Sequence, residues 1–138
     1  MTDFKTTRQF PQSPQEVFAA IADPERLGRW WGPAGFTNTF ETCDFTPGGA
    51  WKFTMHGPDG ANYANESVFA EIEPDRRVVI EHISAPKFRL TVELAPSDAG
   101  TLLSWTQTFD DPKVAAAVQR FVEPANEENL DRLAEELV

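Results

Sequence analysis

Pro47-Gly48-Gly49-Ala50-Trp51-Lys52-Phe53-Thr54-Met55-His56-Gly57-Pro58-Asp59-Gly60 is the stretch whose reading decides the fold. Trp51, Phe53 and Met55 alternate with Lys52, Thr54 and His56, the period-2 pattern of a strand with one buried face. Pro47-Gly48-Gly49 turns the chain into this strand, and Pro58-Asp59-Gly60 turns it back, with Gly60 free to take positive φ. Downstream, strands are expected over 63–72, 78–83, 88–94 and 101–109, separated by Glu73-Pro74-Asp75-Arg76, Ala85-Pro86 and 96–100. Upstream, 37–43 reads as a further strand. Short turns at this spacing imply an antiparallel meander.

Helical signals flank the meander. Phe4 to Phe10 reads as a first strand, followed by Ser13-Pro14-Gln15-Glu16, a capping box with Pro at the first helical position. Asp23-Pro24 starts a second short helix, with Leu27, Trp30 and Trp31 on its apolar side. Asp110-Asp111-Pro112 starts a third. Pro124 is costly inside a straight helix, so a short helix to about Arg120 and a second from about Pro124 are expected. Leu130, Leu133, Ala134 and Leu137 form the apolar stripe at the end. Six acids and one base between Glu123 and Val138 read as a solvated outer face. The sum is an α+β architecture in which a curved sheet grips the terminal helix, two short helices plug one end, and a cavity lies between.

The 138 residues, 41% apolar and 25% charged, read as one globular domain over 1–138. Eleven Phe and four Trp are more than a minimal core of this size needs. With 22 acids, 12 bases and a net charge of −10, nucleic acid and anionic membrane are excluded as partners, because binding either takes local positive charge. The lone Cys43 excludes an internal disulfide framework, and two His exclude a His-rich metal site. No phosphate loop, dinucleotide fingerprint or Gly-x-Ser-x-Gly occurs, so neither metal nor cofactor is expected. The polar start Met1-Thr2-Asp3-Phe4-Lys5, with no leader and no apolar run of about 18 residues, makes the cytoplasm the expected location.

The same alternation nominates a site. Trp51, Phe53, Met55, Val68, Val78, Ile80, Leu103, Trp105 and Phe109 are expected to face the cavity. Glu66 shares the parity of Val68, Ala70 and Ile72, and a carboxylate in an apolar cavity can act as acid or base. His82 shares the parity of Val78 and Ile80. It reads first as a strand-end histidine bonded to backbone, and with Glu66 it would form an acid–base pair for proton transfer. Of Trp30 and Trp31, one is expected in the core and one, Trp31, at the pocket mouth. Gln107, on the face of Trp105, needs a partner, either a ligand or Glu66. Asn126 and Asn129 offer amides to a ligand or to solvent. Cys43 reads as a small buried thiol.

Arg29-Trp30-Trp31-Gly32-Pro33 after Asp23-Pro24, the 48–60 stretch, Glu71-Ile72-Glu73-Pro74-Asp75-Arg76, Thr108-Phe109-Asp110 and Leu130-Asp131-Arg132-Leu133 occur in that order. Together they resemble the START/Bet v 1-like (SRPBCC) superfamily, and within it the family named after the C-terminal domain of the activator of Hsp90 ATPase. The resemblance implies a helix-grip fold, a curved seven-stranded antiparallel sheet around a long C-terminal helix. It also implies a hydrophobic cavity without cofactor. A small apolar or aromatic ligand is then the expected partner, with Trp31, Trp51, Phe53, Met55, Glu66, Val68, His82, Trp105, Gln107, Asn126 and Asn129 as its contacts. Two other readings stand beside it: a cofactor-free cyclase, dehydratase or hydrolase using Glu66 and His82, and a stress-related interaction module. An Hsp90-type partner does not follow for a single small domain. Exposed edge strands leave room for a homodimer. Ala125-Asn126 stands where the family often carries Gly-Trp, which bears on the size and polarity of the cavity.

Overall fold

Seven strands form one antiparallel sheet in the computed structural model, which describes residues 3–138; Met1 and Thr2, part of the expected polar start and 1–138 domain, lie outside the described residues. In chain order the elements are β1 (Asp3–Phe10), α1 (Pro14–Ala22), α2 (Pro24–Trp30), β2 (Thr37–Cys43), β3 (Ala50–His56), β4 (Asn62–Glu73), β5 (Arg77–His82), β6 (Phe88–Ser97), β7 (Gly100–Phe109) and α3 (Pro112–Leu137). The sheet order β1-β7-β6-β5-β4-β3-β2 is a meander from β2 to β7, with β1 added beside β7. This is the α+β helix-grip architecture the sequence implies.

The alternation is cleanest in β7, where Thr101, Leu103, Trp105, Gln107 and Phe109 are all buried. Register then aligns the inner face in rows. Trp51 pairs with Ser67, Ser67 with His82, His82 with Phe88, and Phe88 with Phe109. One row is displaced from the expectation. Register shifts between Phe69 and Glu71, the mark of a β-bulge. Ser67 and Phe69 are buried, while Glu66 is exposed and Val68 falls outside the core. Counting parity back from Ile72 crosses the bulge, where one extra residue exchanges the two faces. Glu66 and Val68 therefore do not line the interior.

The helix starts form as read. Ser13 accepts from Glu16 N while the Glu16 carboxylate accepts from Ser13 N. Asp23 and Asp111 cap α2 and α3 by accepting from Glu25 N and Lys113 N. The end of the chain differs from the expectation: α3 is one helix of 26 residues with Pro124 inside it. Proline removes one helical hydrogen bond. Pro124 is exposed, and both halves are anchored, by Ala115 on one side and by Asn129, Leu130 and Leu133 on the other. That packing outweighs the local cost. Nor is the acidic face of α3 merely solvated, since Arg8 pairs with Glu127 and Asp131, and Arg26 and Arg29 both pair with Glu136.

Trp31 touches all three other tryptophans. Its ring lies 5.8 Å from Trp30, 4.9 Å from Trp51 and 6.1 Å from Trp105. Trp51 stacks on Phe53 at 4.3 Å and on Phe69 at 5.3 Å. A fully buried side chain of this kind contributes about 2–3 kcal/mol by area alone. A second cluster of Phe4, Phe109 and Ala115 fixes the first half of α3.

Candidate ligand site between sheet and helix

α3 lies against β1 and β7 along one side of the sheet and against α1 and α2 at one end. The inner faces of β3, β4 and β5 complete the interior beneath it. Trp51, Phe53 and Trp105 point inward and are buried, as expected, and Met55 packs beside them. Trp31 is 9% exposed against 2% for Trp30, so Trp31 is the tryptophan nearer the surface.

A polar set runs through this aromatic interior. Ser67, His82, Gln107 and Asn129 are buried, and Asn65 and Asn126 are half-buried. Gln107 has its partner inside the protein: Asn126 Nδ2 donates to Gln107 Oε1 at 3.1 Å. Asn126 also lines a groove of about 660 Å³ between β1 and α3, together with Phe4, Thr6 and Glu123. The amide therefore stands between the groove and the inner face of β7.

His82 is engaged at both nitrogens. Nδ1 donates to the Pro86 carbonyl at 2.8 Å, and the ring stacks on Phe88 at 4.5 Å. Nε2 lies 2.7 Å from Asn65 Oδ1 and 3.3 Å from Ser84 Oγ. A charged ring donates to Asn65; a neutral ring accepts at Nε2 from the Ser84 hydroxyl, whose oxygen accepts from Glu66 N. Burial holds the His82 pKa below its usual value, against a smaller upward pull from backbone hydrogen bonds. The strand-end reading of His82 is the one the geometry meets. Glu66 is on the opposite face, so the expected Glu66–His82 acid–base pair does not form.

The Arg29–Pro33 segment and the Leu130–Leu133 segment meet in one hub. Arg132 Nη2 donates to Arg29 O at 2.7 Å, and Nη1 faces the carbonyls of Trp31, Gly32 and Pro33 at 3.0, 3.0 and 3.1 Å. Asn129 Nδ2 donates to Trp30 O, and Asn129 Oδ1 accepts from Gly32 N. Asn129 is thus committed to backbone rather than offered to a ligand. Gly32 has φ +98°, a backbone conformation that favours glycine, and a Cβ there would also push against the flexible end of Met55 at 2.8 Å. The hub fixes the backbone on which Trp31 is mounted. Asn65, Ser67 and Arg132 were not singled out by pattern. The first two lie on the face that the bulge conceals, and Arg132 looks like one more charge on an acidic helix.

Cys43 is half-buried on the core side of β2, and burial, with Asp44 adding, pushes its thiol up to about 11. Among the described residues, no group of three or more His, Cys, Asp or Glu is placed to hold a metal ion, and no helix is long and apolar enough to cross a membrane.

The model of the Activator of Hsp90 ATPase homolog 1-like protein family matches residues 11–138. No curated protein matches the chain. Among solved structures, a protein from Arthrobacter aurescens is similar with a TM-score of 0.90 and 26% identity, over 99% of this chain and 86% of that one. A protein from Chromobacterium violaceum gives 0.85 and 24%, over 98% and 96%. The AHSA1 protein from Silicibacter pomeroyi gives 0.78 and 22%, over 98% and 96%.

Proposed function

Since the chain belongs to the Activator of Hsp90 ATPase homolog 1-like protein family, whose fold commonly binds hydrophobic ligands, we propose that it binds a small apolar or aromatic molecule between the sheet and α3. One observation carries this reading. An aromatic interior built from Trp31, Trp51, Phe53 and Trp105 also holds Ser67, His82 and Gln107, the combination of apolar walls and a few placed polar groups that small-molecule sites use. The groove between β1 and α3, ending on Asn126, is the route of access this reading assigns.

The catalytic alternative loses its pair, because Glu66 and His82 cannot act on one bound molecule from opposite faces. A protein-interaction role has no comparable observation behind it.

The test is native mass spectrometry of the protein purified from its own host, followed by denaturing extraction. A reproducible small molecule released on denaturation supports the reading and names its class. Absence of any retained molecule, together with no saturable binding of naphthalene-sized probes, overturns it.

A further inference from the structure

The core indoles differ in how their N–H groups are satisfied. Trp30 Nε1 donates to Ala20 O at 3.0 Å, tying α1 to α2. Trp51 Nε1 and Trp105 Nε1 are buried and meet no acceptor among the described residues. Their residues are 0% and 2% exposed. A buried unmade hydrogen bond carries the full desolvation penalty of the group, and such groups are rare in folded proteins. Phe10, Phe53 and Phe69 show that the chain fills its core with plain hydrocarbon rings elsewhere. At positions 51 and 105 a phenyl ring would pack without an orphaned donor. Both indoles pack against Trp31, the most exposed of the buried tryptophans in this cluster. The two donors thus belong to rings of the aromatic interior that share Trp31 as a neighbour.

We propose that Trp51 Nε1–H and Trp105 Nε1–H are the recognition groups of the site, and that its ligand is an aromatic or alicyclic molecule bearing a carbonyl or ether oxygen. This rests on the ligand-binding reading above and narrows it. Trp31 moves aside as the ligand seats against it, and the ligand oxygen accepts from the indoles. A hydrocarbon of the same shape gains the same apolar contact and leaves the donors unmade. Discrimination comes from that difference, as in sites that reject analogues lacking one polar atom.

The experiment compares 2-acetylnaphthalene with 2-ethylnaphthalene, alike in ring and size and differing by a ketone oxygen in place of two hydrogens. Both are titrated into 15N-labelled protein while the indole N–H signals are followed. The ketone is expected to bind at least ~5-fold more tightly, the worth of one hydrogen bond, and to shift the Trp51 and Trp105 signals downfield as the hydrocarbon does not. Trp105→Phe is expected to reduce the preference. Replacing Trp51 and Trp105 by 3-benzothienylalanine, whose sulfur substitutes for N–H without altering ring shape, is expected to abolish it even if the phenylalanine variant fails to fold. Equal affinity for the two probes, with both indole signals unmoved, overturns the proposal while leaving a binding cavity standing; the donors are then satisfied by neighbouring ring faces. Failure of both probes to bind overturns the proposal, and the ligand-binding reading falls with it when the protein also retains no molecule from its host.

Discussion

Arg132→Met tests the hub that mounts Trp31. Arg132 is half-buried and faces four carbonyls, of Arg29, Trp31, Gly32 and Pro33, with no carboxylate among its hydrogen-bond partners in the described residues. The two hydrogens of Nη1 are shared among three of those oxygens, and Trp31 O also accepts from Asn38 Nδ2 at 2.9 Å. The guanidinium therefore makes fewer than four full bonds. Hydrogen bonds from a charged donor contribute about 1.5–3 kcal/mol each. Water can reach part of the vacated site, and methionine restores some apolar contact. Two bonds' worth at the lower end gives a loss of about 3 kcal/mol. For a domain of this size that lowers Tm by about 10 °C. Urea and thermal unfolding followed by tryptophan fluorescence read both quantities. Because the acceptors are neutral carbonyls, the loss is expected to be nearly the same at low salt and in 1 M salt, about 3 kcal/mol in each. A loss below about 1 kcal/mol, or one that vanishes in high salt, refutes the reasoning.

Three further outcomes are expected. The paired guanidinium groups of Arg29 and Arg26 hold the Glu136 carboxyl down to about 2 from an ordinary 4.5. Because the folded value is the lower one, this stabilisation is present above about 4.5 and lost as pH falls from there toward about 2; Glu136→Gln should flatten that acid limb in a pH series of urea midpoints. Pro124→Ala should raise stability by about 2 kcal/mol, the cost of proline in a helix less the order it imposes on the unfolded chain, and a fall in Tm would mean the ring itself is a needed contact. With its thiol raised to about 11, Cys43 should react with iodoacetamide at pH 8 far more slowly in the native protein than in urea, as mass spectrometry of timed samples would record.

Local chemistry made much of the fold legible. The Ser13–Glu16 box and the Asp-Pro helix starts act within four residues, and the strict alternation of β7 needs no partner to be read. What stayed hidden was set at longer range. The bulge after Phe69 depends on how β4 meets β5, and without it Glu66 and Val68 take the face that belongs to Ser67 and Phe69. Pro124 looks like a break until both halves of α3 are seen to be packed. The aromatic interior was legible in Trp51, Phe53 and Trp105, because large rings on the buried parity of a strand have one place to go, and in Trp31 from the apolar side of α2. It was not legible in its polar groups. Gln107 meets Asn126 from 19 residues away, and Asn129 meets Gly32 from 97, pairings that no spacing rule reaches.

The register shift at Phe40–Thr42 in β2 has a consequence for neighbouring chains. β2 is an outer strand of the sheet, with unpaired backbone groups facing away from β3. A strand from another molecule would extend the sheet there most readily along an unbroken ladder. Glu41, the residue left over by the shift, interrupts that ladder and is exposed. Two copies of a chain with net charge −10 would also repel as they approached. A rim of the sheet that would otherwise invite edge-to-edge aggregation is thereby blunted, and the aromatic load of the interior is carried without that hazard at β2.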